Sequence, residues 1–198
     1  MMPTESTPSP RQRLLDAAAV LFYEQGIAAT GIDSIIKRAG VAKQSLYNHF
    51  ASKADLVAAY LDIRHQEWLD LYAVRLAQAS TPKDRVLAVF AAYQDHAEFA
   101  YEHGFRGCGL LNAAAELSVG EAGRDTVRRH KEEVEAIMRG HLQILFSGAP
   151  AYAEQLARHL AFLLEGAITR AGLEGSSVCM QQAQAMAARL LEQNNDDC

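Results

Sequence analysis

The chain has 198 residues and a formal net charge of −5, with 49% hydrophobic and 22% charged residues. That is the composition of a folded chain rather than a disordered one, with length for one or two small domains and a real core. Ala (35) and Leu (22) far outnumber Val, Ile and Thr (24 together), which excludes an all-β chain. The longest stretches free of charge, residues 140–153 and 175–188, are 14 residues each, short of the roughly 20 needed to cross a bilayer. Residues 1–10 have no basic start and no apolar run, which argues against a secretory signal; residues 1–8 read as a disordered tail. Cys108, Cys179 and Cys198 are odd in number and far apart, so neither a disulfide framework nor a zinc ribbon is indicated, and a reducing cytoplasm is the expected compartment.

In chain order the segments read as helices. Ser9-Pro10 with Gln12 opens the first, Leu14, Leu15, Ala18, Leu21 and Phe22 give it one apolar face, and Gly26 stops it. Thr30 with Asp33, Ser52 with Asp55, and Thr81-Pro82 with Asp84 repeat the pairing of a cap with an acid three residues on. They predict helices over 31–39, 53–79 and 82–102. A second short helix is expected over 43–49. A glycine-rich turn over 104–109 precedes a short helix over 108–117. A charged amphipathic helix is expected over 121–146, a more apolar one over 151–171 ended by Gly172, and a last one over 177–192. The expected fold class is therefore all-α, with about nine helices.

Residues 30–56 carry the most information. The helices over 31–39 and 43–49 flank Ala39-Gly40-Val41, where Gly40 permits a left-handed backbone. Ile35, Ala39, Val41 and Leu46 supply a small apolar core between them. This is a helix-turn-helix pattern, whose second helix enters the major groove of DNA. That second helix offers Lys43, Gln44, Ser45, Tyr47, Asn48 and His49 within seven positions. Charge is compatible: residues 1–60 hold six Lys/Arg against five Asp/Glu, while the remainder holds 13 against 19.

The run Thr30-Gly31-Ile32-Asp33 through Ser45-Leu46-Tyr47-Asn48-His49-Phe50 to Lys53-Ala54-Asp55-Leu56 resembles the DNA-binding signature of TetR/AcrR-type transcriptional regulators. The likeness covers residues 11–60. Three positions depart: Ile36 stands where Ala is usual, Ala42 replaces a Ser/Thr cap worth about 1 kcal/mol, and Gln44 replaces a small residue. The resemblance implies a helix-turn-helix domain over 9–52 and a ligand-binding and dimerisation domain over 53–198. It implies that Thr30 and Tyr47 touch backbone phosphates, that Lys43, Gln44 and Asn48 face the major groove, and that His49 and Lys53 clamp phosphate. It further implies a palindromic operator read by a homodimer, paired through its last two helices. Leu160, Leu163, Leu164, Ala167, Ile168 and Ala171, beside Gly166, and Met180, Ala183, Ala187, Leu190 and Leu191 are compatible with such a bundle.

A small, largely apolar effector is expected among Trp68, Tyr72, Phe90, Tyr93, Tyr101, Phe105, Cys108 and Phe162, with Asn112, Glu116 and histidines as polar fixtures. No cofactor is expected. His96 and His103, seven apart, do not match usual zinc spacing, and no phosphate loop or serine elbow indicates an enzyme. The expected function is a ligand-responsive dimeric repressor. Two alternatives stand beside it. One is an electrophile- or oxidant-sensing repressor acting through Cys108, whose Gly107-Cys108-Gly109 turn resembles that of sensing members of the family. The other is a helical binding protein without DNA affinity.

Overall fold

The computed structural model describes residues 8–193, so most of the expected tail and Cys198 lie outside the described residues. Among these residues there are nine helices and no strand: α1 (Pro10–Gln25), α2 (Ile32–Ala39), α3 (Lys43–His49), α4 (Lys53–Leu76), α5 (Pro82–Glu98), α6 (Gly109–Glu116), α7 (Ala122–Leu145), α8 (Pro150–Glu174) and α9 (Val178–Gln193). None of them is long and apolar enough to cross a membrane.

The caps act as the sequence indicates. Ser9, Ser52 and Thr81 accept the backbone N–H of Gln12, Asp55 and Asp84 respectively. Asp84 returns the bond to the Thr81 N–H, completing a capping box. Its carboxyl pKa lies below the usual range because the carboxylate accepts from Thr81. Ala42 heads α3 without a side-chain cap.

The first three helices form a small layer around Leu14, Leu15, Ala18, Ile35, Ala39, Leu46 and Phe50, all buried. Gly40 adopts φ 62°, ψ 40°, the left-handed turn between α2 and α3. Arg13 of α1 locks that turn by donating to the Ala39 carbonyl at 2.9 and 2.7 Å and also to the Gly40 carbonyl. The start of α4 closes this layer with Leu56, Val57 and Tyr60. It then continues into the second layer of helices.

There α5 is central. Val86, Val89, Phe90, Ala92 and Tyr93 are almost fully buried on several sides, as expected of a helix with neighbours all round. It packs against α4, α7 and α9. In α7, Val127, His130, Val134, Met138 and Leu142 form the inward stripe. A histidine therefore occupies a core register.

Three helix ends differ from expectation by three residues or more: α4 stops at Leu76 rather than 79, and the ends of α5 and α8 also move. Helix α5 ends at Glu98, not 102, because residues 99–107 are recruited by α1: Tyr101 stacks on Tyr23 at 4.4 Å and Tyr23 Oη accepts the Arg106 N–H at 2.7 Å. Gly172 does not end α8. The helix runs on to Glu174, and Gly175 at φ 64° forms the left-handed cap. Gly172 instead abuts Gly107: a Cβ placed on it would lie 2.5 Å from the Gly107 Cα and N. The glycine serves helix–loop approach rather than termination.

Candidate functional site

Helix α3 is seven residues long, with Leu46 fully buried and Lys43, Gln44, Tyr47, Asn48 and His49 exposed. One apolar anchor thus aims five polar side chains outward. Gln44 and Asn48, one turn apart, lie side by side, with Gln44 Nε2 donating to Asn48 Oδ1 at 3.2 Å. Two amides on one exposed edge suit adenine recognition. Lys43 meets Asp33 at 3.2 Å across a well-exposed pair, a contact that a phosphate can exchange cheaply. Tyr47 is 46% exposed, while Ser45 is only half-exposed and sits at the edge of the face.

Two expected phosphate contacts are held elsewhere. Thr30 is fully buried, and its hydroxyl lies 2.6 Å from the Gly26 carbonyl and 3.2 Å from that of Leu21. Its side chain closes the α1–α2 turn and does not face solvent. Lys53 Nζ donates to the Ile27 carbonyl at 2.5 Å, so its ammonium is tied to the same turn.

That turn is also gripped by the second layer. Glu116, the last residue of α6, accepts the N–H groups of Ile27 at 3.0 Å and Ala28 at 2.8 Å. Expected among the pocket fixtures, Glu116 is instead a clamp between layers. Arg38 of α2 pairs with Glu102, and His103 pairs with Glu24. Hydrogen bonding to Glu24 raises the His103 pKa. Glu24, Glu102 and His103 are close enough to hold a metal ion among the described residues, but both carboxylates already face cationic partners. His96 is far from this cluster in role: it packs beside Tyr101 and Phe105.

The expected effector residues separate into two groups. Trp68, Tyr72, Tyr93, Phe105 and Cys108 are buried, and Tyr101 is half-buried at the edge of the same region. Phe162 is 66% exposed on the outer side of α8 and takes no part. Asn112 donates to the Arg106 carbonyl at 3.1 Å, holding the loop before α6. Phe90 is fully buried core.

Sequence reasoning missed the polar line through this interior. Lys131 Nζ lies 3.3 Å from Tyr93 Oη, which lies 3.2 Å from His130 Nε2; His130 Nδ1 lies 2.7 Å from His65 Nδ1, and His65 Nε2 lies 3.4 Å from Glu133. One arrangement of donors satisfies every partner: Lys131 donates to Tyr93, Tyr93 to His130 Nε2, His130 Nδ1–H to His65, and His65 Nε2–H to Glu133. Burial, reinforced by the Lys131 charge, pushes the His130 pKa down to about 3, and burial pushes His96 down to about 4. A histidine within the apolar stripe of α7 was the available signal.

These depressed values predict acid lability. The unfolded chain takes up protons on both histidines near pH 6.5, whereas the folded chain refuses them until about pH 4 for His96 and about pH 3 for His130. Their contribution to stability is complete above pH 6.5 and is lost as pH falls towards 4. The midpoint of urea unfolding is expected to drop between pH 6.5 and 4.5. A midpoint that stays level over that range would show both rings protonated in the folded state.

Comparison with known proteins now fits this geometry. A family model described as "Bacterial regulatory proteins, tetR family" matches residues 14–60, which contain most of α1 and all of α2 and α3. The crystal structure of a TetR-family transcriptional regulator from Streptomyces coelicolor superposes with a TM-score of 0.84 at 28% identity, covering 93% of this chain and 95% of that one. Residues 14–60 thus resemble the DNA-binding part of tetR-family regulators, and the chain as a whole has the fold of a TetR-family transcriptional regulator. Another TetR regulator structure, from Chloroflexus aurantiacus, gives a TM-score of 0.78 at 27% identity over 93% and 94% of the two chains. Among curated relatives, the HTH-type transcriptional activator FasR of Mycolicibacterium smegmatis is 41% identical over 90 residues, 44% of this chain and 40% of the relative. The transcriptional repressor KstR2 of Mycobacterium tuberculosis is 34% identical over 88 residues, 42% of each. The chain spans about two fifths of the length of these curated relatives. The relatives and structures it matches are named as transcriptional regulators.

Proposed function

We propose that this protein is a dimeric, ligand-responsive repressor that occupies a palindromic operator until a small effector binds its second layer of helices. The observation that carries the reading is the outward polar face of α3, held by the buried Leu46 and by the Arg13 lock on the preceding turn. Within that face, Gln44 and Asn48 serve as base readers, and Lys43, Tyr47 and His49 as phosphate contacts. One such helix spans few base pairs, so two copies related by a two-fold axis are required for useful specificity.

The outer side of α8 and α9 supports pairing. Phe162 and Met186 are 66% and 45% exposed, and a Cβ on Gly166 would meet nothing within 4 Å. Leu163 and Ala167, half-buried, continue this apolar strip. A second copy of α8 and α9 would cover it.

Coupling is supported by α6. Its first turn, with Cys108 and Gly109, lies in the wall of the interior cavity, and its last residue clamps the α1–α2 turn. An occupant that shifts α6 alters the Glu116 clamp and with it the attitude of the recognition helix. Release follows only to the extent that the occupant prefers the shifted state.

The test uses the full chain and duplexes selected from random sequence. Retardation with a steep loss on raising salt, a two-fold-symmetric selected site and a dimer in sedimentation are expected. Glu116→Gln, which weakens the acceptor, is expected to change operator affinity by about fivefold or more while leaving the dimer intact. Salt-insensitive or sequence-blind retention would defeat the reading. The placement of Cys108, buried at the head of α6, favours a packing role over an exposed sensing thiol.

A further inference from the structure

We infer that the ligand site takes an uncharged carbonyl compound, its oxygen accepting hydrogen bonds from Trp68 and Arg64 and its flat apolar body lying in the adjoining cleft. This rests on the ligand-responsive reading above and names the chemistry of its effector.

Trp68 Nε1 and Arg64 Nε are buried and have no hydrogen-bond partner. Both residues line the same interior cavity of about 10 Å³, together with Tyr93, His96 and His130. Trp68 is 3% exposed. A buried N–H left unpaired is costly, and two in one wall call for an acceptor. The cavity has room for little more than one oxygen atom. The body of a ligand must therefore lie outside it.

Arg64 and His96 also line an open cleft of about 320 Å³. There Val74 and Phe99, 59% and 67% exposed, stand with Leu71 and Tyr101 as an uncovered apolar wall. The size suits a compound of two fused rings. An oxygen passing between Arg64 and His96 would reach the orphan donors while its carrier covers this wall.

Charge excludes a carboxylate as the better fit. The guanidinium of Arg64 is already paired with Glu67, and Asp70 stands at the same cleft. A third negative charge would face two carboxylates. His130, held neutral between Tyr93 and His65, supplies no spare cation. A neutral acceptor satisfies the two N–H groups without disturbing the ion pair.

Trp68 is the sole tryptophan of the chain, so its indole N–H gives one resonance in a ¹⁵N-labelled sample. The full chain is titrated with 2-acetylnaphthalene, with 2-ethylnaphthalene, which lacks the acceptor, and with 2-naphthoate, which carries a charge. The expected result is a saturable downfield shift with the ketone, at an affinity at least tenfold above the other two. Arg64→Met should lower ketone affinity about tenfold and leave 2-ethylnaphthalene unchanged. Equal or tighter binding of either control to the unaltered chain, or an indole resonance unmoved by the ketone, overturns the inference even if Arg64→Met fails to fold. Ketone binding at Trp68 with no effect on operator affinity would instead remove the ligand-responsive reading while leaving the site in place.

Discussion

Gln44→Ala and Asn48→Ala are each expected to weaken binding to a selected operator by about tenfold or more, at unchanged melting temperature. A well-made amide–base pair discriminates by about 1–3 kcal/mol, and a two-fold assembly would use each residue twice. Both side chains are exposed and bond to each other rather than to the core, so their removal costs the fold little. The signature of base reading is relaxed selectivity at defined positions with the salt dependence preserved. Lys43→Ala should do the opposite: affinity falls for all sequences, and the salt slope becomes shallower by about one ion for each phosphate no longer neutralised. Titration by fluorescence anisotropy against selected and scrambled duplexes separates the two. If the amide variants lost affinity equally for both duplexes, α3 would be binding backbone only.

The second large effect is on stability. Gly172→Ala is expected to cost about 3 kcal/mol, since overpacking against unyielding atoms is expensive. The added Cβ would meet the Gly107 Cα and N at 2.5 Å and the Arg106 carbonyl carbon at 2.8 Å. These are backbone atoms, and Gly107 already sits at φ +94°, where few residues can follow a shift. The loop has no slack, because Tyr23 accepts from the Arg106 N–H and the Tyr23 hydroxyl reaches the Gly107 carbonyl. A fall in Tm of about 6–12 °C should result for a chain of this size. Gly140→Ala in α7 is the control: a Cβ there meets nothing within 4 Å. It is expected to hold or gain up to about 1 kcal/mol through helix propensity. Similar melting curves for the two variants would mean that residues 99–107 move aside without penalty.

Helix α3 and its exposed polar face were legible because their signals are local. Cap residues, the Gly40 turn and a single inward leucine can be read within twenty positions, and α3 presents the face they imply. Thr30 and Lys53 were not legible in the same way. Each has a type suited to phosphate, yet each is consumed by the carbonyls of the α1–α2 turn, a partner set by the fold of α1 back on the turn. Phe162 failed similarly: an aromatic on an apolar helix has two sides to choose from, and the periodicity of α8 does not say which side is the interior.

What the sequence determined by itself was the all-α class, the positions of most helix ends and the identity of the helix that projects amides and a lysine. Those follow from hydrogen bonds and apolar spacings within one or two turns. Tertiary structure alone decided that α5 stops early at the grip of Tyr23, that Gly172 admits the 107 backbone, that Glu116 clamps the turn beneath α2, and that Arg64 and Trp68 share a wall with His130. Each of these joins residues far apart in the chain. Their energies arise from close contact and from burial of polar groups, neither of which exists until the layers have packed.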